Sequence, residues 1–298
     1  MLTGLLPAII VIATMVTIVM SAIWIVRRKQ RGRRSPLTQQ LLRSPGESLR
    51  QQVDQLHDDI TECFMMTIIV PLGITIPFLL QLQTTSKFTW ATLTLYIVTG
   101  ILFAVFMIRK MVKLLDERNS YRLGLDAELA VGQELNQLVA NGCRVFHDFP
   151  AENFNIDHVV VGPGGVYAVE TKGRAKPDKG RGTIDAKVIY DGEVLRFPDW
   201  HEHKPLEQAK RQAVWLGKWL SSAVGHPVST TPALALPGWF VERTNSGNVI
   251  VFNGKSTFFL ATPHGRTPLN EQQIQQISHQ LEQRCRTVEP AAYRIDKS

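Results

Sequence analysis

Asn155-Ile-Asp-His-Val-Val-Val-Gly-Pro-Gly-Gly-Val-Tyr-Ala-Val-Glu-Thr-Lys172 is a pair of short apolar runs around a Pro-Gly-Gly turn, and its reading decides the fold of the soluble part of the chain. Two β-branched runs flanking Pro163-Gly164-Gly165 predict a hairpin. Side chains alternate along a strand, so Glu170 and Lys172 share one face while Thr171 takes the other. A two-residue turn at Pro163-Gly164 places Asp157 opposite Glu170. A turn at Gly164-Gly165 places it opposite Lys172, on the same face, whereas a three-residue loop without a bulge flips it away. On either two-residue register, two carboxylates and an ammonium converge at the end of an otherwise apolar hairpin. Burying such charges unpaired is costly.

Hard divalent cations take oxygen ligands, and Mg2+ is typically held by one or two carboxylates together with substrate phosphate. A lysine beside it stabilises developing negative charge. The chemistry that Asp157, Glu170 and Lys172 point to is metal-assisted phosphodiester hydrolysis. The plainer reading of the same residues is a surface hairpin with a cross-strand ion pair.

Outward from the hairpin, Val131, Leu135, Leu138 and Val139 mark an amphipathic helix over Gly124–Asn141, closed by Gly142. Arg144–Phe149 reads as a strand. Short strands are expected near 183–190 and 193–197, a helix over Lys204–Ala223, strands at Thr231–Leu236 and Asn248–Phe252, and a last helix over Pro268–Arg286 capped by Thr267. The fold class is α/β, a mixed-sheet sandwich over 123–288, with 289–298 as a tail.

The quoted stretch resembles the core of the nuclease-related (NERD) domain family, within the PD-(D/E)xK restriction-endonuclease-like superfamily. Gly124–Leu138 resembles that family's opening Gly-x-x-x-Glu helix, and Pro205-Leu-Glu-Gln-Ala209 its later Pro-x-x-Gln-Ala helix start. The resemblance implies a restriction-endonuclease-like fold and a metal-dependent nuclease (Mg2+ or Mn2+). It also implies Asp157 and Glu170 as metal ligands, Lys172 as the catalytic lysine, a supporting helix glutamate and a polar glutamine, Gln208. Two positions depart from the family pattern: Ala127 stands for the usual Gly before the helix Glu, and Gly173 for the usual Asn after the lysine. Helical geometry favours Glu128 as the glutamate, three before Val131 and seven before Leu135 and so within the buried stripe, with Glu134 at its edge in reserve.

Beyond the hairpin, Arg174, Lys176, Lys179 and Arg181 form a basic loop placed to meet nucleic-acid phosphate. On the 204–223 helix, Gln208, Gln212, Trp215 and Trp219 oppose an apolar face, with Lys204, Arg211 and Lys218 alongside. That face suits either a nucleic-acid groove or ordinary packing. His201-x-His203 has ligand spacing but reads as loop histidine, and His158 as a packed one.

The N-terminal third belongs to a different solvent. Met1–Val26, Phe64–Ser86 and Phe88–Ile108 are uncharged, each long enough to cross a hydrocarbon core, and only Lys87 parts the second from the third. Pro71, Gly73 and Pro77 are tolerated in lipid-spanning helices. The first run lacks the basic start and small-residue cleavage site of a signal peptide. Basic clusters at Arg27–Arg34 and Arg109–Lys113 follow the first and third runs. They put the N-terminus outside, and the basic loop 27–63, the linker 109–122 and the NERD-like domain in the cytoplasm, a bacterial inner membrane being the expected setting. The Arg cluster also suits anionic lipid heads.

A net charge of +7 over 298 residues with 44% hydrophobic content excludes a disordered chain, and three scattered cysteines exclude a disulfide framework. None of the three runs carries an ionisable residue, which argues against a transporter. Two expectations remain: a membrane-anchored nuclease acting on DNA rather than RNA, or a non-catalytic module tethered to the membrane that binds nucleic acid or protein.

Overall fold

The computed structural model describes residues 6–30, 33, 35–84, 90–177, 186–263 and 268–290. Lys87, Lys179, Arg181 and Thr267, each singled out above, lie outside them. The chain divides into two compact units, one of Met1–Leu42 with Arg286–Ser298 and one of Arg43–Cys285. The first holds α1 (Leu6–Gln30) and a two-stranded ladder of β1 (Leu41–Leu42) against β11 (Arg286–Val288).

The second unit begins with two long helices, α2 (Glu47–Thr84) and α3 (Trp90–Asn136). Residues 109–122, expected as a linker, are an uninterrupted part of α3. They contain neither Gly nor Pro and are rich in Arg, Lys, Leu and Met, all good helix formers. Likewise the latter part of the 27–63 stretch is the start of α2. Three spans were expected. Among the described residues two helices, Glu47–Ile76 and Trp90–Asn141, are long and apolar enough to cross a membrane.

After α3 a short 3-10 turn (Gln137–Asn141) ends at Gly142 in the left-handed region, as expected of that glycine. There follow β2 (Arg144–Pro150), β3 (Asn155–Gly162), β4 (Gly165–Thr171), β5 (Lys187–Tyr190), β6 (Leu195–Arg196), β7 (His201–Glu202), α4 (Lys204–Val224), β8 (Thr230–Ala235), β9 (Phe240–Arg243), β10 (Ile250–Phe252) and α5 (Glu271–Cys285). The helix expected from Pro268 starts later, at Glu271. Asn270 caps it: its Oδ1 accepts from Gln273 N at 2.9 Å while Asn270 N donates to Gln273 Oε1 at 3.0 Å.

The main sheet runs β10-β8-β4-β3-β2, antiparallel through β2-β3-β4 and parallel through β4-β8-β10. One face packs Val160, Tyr167, Val169, Ala233 and Ala235 against Val131, Leu135 and Leu138. The other packs Val159, Val161, Val166 and Ala168 against Leu216 and Leu220 of α4 and Ile277 and Leu281 of α5. The result is a mixed α/β fold with helices on both faces of a mixed sheet. A second sheet, β7-β6-β5-β9, was not expected beyond its two central strands. It closes over Leu206, Leu234, Leu236 and Trp239.

Candidate active site

The hairpin turn takes the Pro163-Gly164 register: Gly162 pairs with Gly165 and His158 with Val169. Continued one step, that register sets Asp157 opposite Glu170, but the ladder stops there. Asp157 instead meets the next strand through its carboxylate, which accepts from Thr171 N at 2.6 Å. The β2–β3 ladder breaks at the same level, pairing His147 with His158 and Phe149 with Ile156 but omitting Asp148. Asp148 has φ 46, a left-handed backbone that Asp tolerates better than most residues. Phe146 and Phe149 share one core cluster, as do Ile156 and Val159. Strict alternation would send the members of each pair to opposite faces, so the pleat slips by one residue in both strands. The sheet opens where the acids gather.

Glu170 is 1% exposed, and its Oε1 lies 2.5 Å from Lys172 Nζ. Its other oxygen finds no partner among the described residues. Glu128, 7% exposed, reaches the same region from α3. Burial, then Asp148 and Glu170, push its carboxyl up to about 8. Asp157 is raised well above the ordinary carboxylate range by burial and by Glu170 and Glu128. Burial pulls the Lys172 ammonium down, but the Glu170 carboxylate outweighs it and the pKa stands above its ordinary value. Asp157, Glu170, Glu128 and Lys172 are therefore brought together, and Glu134 is elsewhere, bonded to Gln137 at 3.2 Å.

These residues fit a hard divalent cation. One carboxylate oxygen is buried without a donor, and three acids repel one another with a single lysine to offset them. Among the described residues no three His, Cys, Asp or Glu side chains form a ready-made metal cluster. Two carboxylates could hold such a cation only with water and phosphate as further ligands, as Mg2+ is commonly bound.

Residues 123–237 match the family model NERD, the nuclease-related domain. No curated protein and no solved structure matches the chain. The matched NERD segment runs from the end of Glu128's helix through β8, and so contains all four central side chains. The two departures from the NERD pattern touch: a Cβ added at Gly173 would stand 3.1 Å from Ala127 Cβ and 2.7 Å from Leu123 O. The methyl at 127 occupies the room that the bare backbone at 173 leaves.

The other expected residues are more dispersed. Arg174 is engaged in two 2.9 Å bonds to Glu202, and its carbonyl accepts from Trp239 Nε1 at 3.1 Å. Lys176 is exposed, its ammonium over the Trp239 ring. Gln208 is half-buried, while Gln212, 2% exposed, donates to Asn155 O at 3.2 Å and so reaches the site's strand. Trp215 and Trp219 pack on the core and share Arg284, which lies over both rings, so packing accounts for them. His158 is buried against His147, their Nδ1 atoms 2.9 Å apart, and burial lowers both pKa values, that of His147 to about 4. Asp148, Asn155, Arg43 and Ser48 were missed by sequence reasoning. A visible signal was the Ser44-x-x-Glu47 spacing at the start of α2, although its side chains bond each other, Ser44 Oγ donating to Glu47 Oε2 at 2.6 Å.

Proposed function

We propose that the chain is a membrane-anchored, metal-dependent nuclease that hydrolyses phosphodiester bonds, DNA being the favoured substrate. The observation that carries this reading is the acid cluster of buried Glu128 and Glu170 with half-buried Asp157 and one lysine, lying inside a nuclease-related domain. Asp157 and Glu170 would hold Mg2+ or Mn2+, which supplies charge neutralisation at the phosphate and an acidified water when bound. Lys172 places its ammonium where negative charge develops on the phosphoryl oxygens. Glu128 keeps its proton at neutral pH while the cluster is unfilled and gives it up once the neighbouring charge is offset. Gln208, Lys176 and the rest of the 174–181 loop contribute phosphate contacts that set binding rather than turnover.

Anchoring rests on the two apolar helices of the second unit together with α1. Basic residues following the first and third apolar runs orient the NERD domain to the cytoplasm and the N-terminus outward, with anionic lipid as a further partner.

The test is cleavage of labelled duplex DNA and of RNA by the full chain with Mg2+, Mn2+ or EDTA, beside Glu170→Gln. Metal-dependent cutting that Glu170→Gln abolishes, at an unchanged melting temperature, supports the reading. The 2.5 Å Lys172–Glu170 pair favours a second one, since it neutralises a carboxylate without metal, as a non-catalytic binding module would. DNA binding without cutting, together with collapse of folding in Glu170→Gln, would select that module.

A further inference from the structure

Arg43-Ser-Pro-Gly-Glu-Ser48 leads into α2, whose first two residues are Glu47 and Ser48, and lies outside the matched 123–237 segment, yet it is built against the acid cluster. Pro45 lies close over α3: a Cβ at Gly132 would come within 2.7 Å of its Cγ. Gly46, at φ +67, lays its backbone on Glu128. A Cβ there would stand 2.5 Å from Leu125 Cδ1, 3.6 Å from Glu128 Oε2 and 3.7 Å from Glu128 Cβ. A side chain at 46 would displace the Leu125 side chain and strain the left-handed backbone that rests against Glu128.

What fixes this segment is Asp148, at the level where the sheet opens. Its Oδ2 accepts from Arg43 Nε at 2.9 Å, from Arg43 Nη2, from Ser48 N at 2.8 Å and from Ser48 Oγ at 2.7 Å. Its Oδ1 accepts from Asn155 Nδ2 at 3.0 Å. Asn155 also donates to Ser48 Oγ at 2.5 Å and stands two residues before Asp157. Arg43 and Asp148 are both largely buried, with side chains 13% and 4% exposed. One end of the network thus holds the backbone over Glu128, and the other holds the strand that carries Asp157. Neither Arg43 nor Asp148 is among the residues assigned to metal or phosphate.

We propose that Arg43 and Asp148 are positioning residues for Glu128 and Asp157, so that residues 43–48 complete the active site from outside the NERD segment. This rests on the nuclease reading. Misplacing a reacting group by an ångström costs on the order of 10²-fold in rate. Arg43→Gln in the full chain should therefore lower kcat by roughly 10–100-fold with little change in KM. Added to Glu128→Gln it should cost far less than it does alone, because residues acting as one unit are not additive. Multiplying losses, or a wild-type kcat in Arg43→Gln, would overturn the proposal. Ser48→Ala, which removes one hydroxyl, takes the place of Arg43→Gln if that variant fails to fold. Hydrogen exchange supplies a readout free of activity. Peptides covering 43–50 and 123–131 should be protected in the wild type and loosen together in the variant. Loosening of the first alone overturns the proposal even if the protein cuts nothing. Wild-type protein that cuts no DNA or RNA but shows joint loosening would sink the nuclease reading and leave the coupling of segment and helix standing.

Discussion

Glu128 carries a consequence for stability that can be read against pH. Its carboxyl is raised from 4.5 to about 8 by burial and neighbouring acids, so the folded chain holds that proton more tightly than the unfolded chain. The stabilisation is full below pH 4.5 and drains away as pH rises through about 8. In EDTA, the melting temperature of the wild type should drop between pH 5 and 9 more steeply than that of Glu128→Gln, which stays neutral throughout. Parallel curves would show that the acid is not held this way. At Lys172 the expectation is kinetic: Lys172→Ala should cut the cleavage rate by roughly 10²–10³, the loss on removing one transition-state donor. DNA affinity, measured separately, should barely move, since one ammonium is a single phosphate contact among several. An affinity loss matching the rate loss would instead make Lys172 a binding residue.

Among the elements, the hairpin was the most legible because one turn sets its register. Pro163-Gly164 brought Asp157 level with Glu170, and the ladder agrees as far as His158–Val169. The slip at Asp148 was not legible, because it answers to Arg43, 105 residues away, and no local spacing records that partner. The length of α3 was misread for the opposite reason: its charged middle looks like a linker, although every residue there is compatible with a helix. Packing of α3 on the strand end yields a prediction. Gly173→Ala would drive a methyl to 2.7 Å from Leu123 O and 3.1 Å from Ala127 Cβ, an overpacking worth about 1–3 kcal/mol. Chemical denaturation should show that loss, and Ala127→Gly should return part of it. If the two changes simply add, the contact is not the cause.

On the scale of the whole chain, the apolar runs and the basic residues behind them underlie the proposed topology, which reporter fusions can test. A reporter joined after Ser298 should score as cytoplasmic and one inserted at Lys87 as external; reversed signals would end the proposed orientation. Neither fusion interrupts an element among the described residues. A fusion at Asn119, by contrast, would cut α3 in its charged middle. For the same reason a soluble piece starting near residue 115 would lose both the first part of α3 and the segment over Glu128.

Because α3 continues without a break from Trp90 to Asn136, its apolar end and the end that carries Glu128 are joined by a strut rather than a tether. Glu128 lies about 30 Å along that helix from Ile108, at ~1.5 Å per residue. A flexible leash would let the domain sample a cloud of positions that widens with its length. In the proposed membrane anchoring, a strut would confine the site to one height above the bilayer and give it one outlook. Nucleic acid would then be cut only where it passes the membrane at that height, whatever its concentration in the bulk.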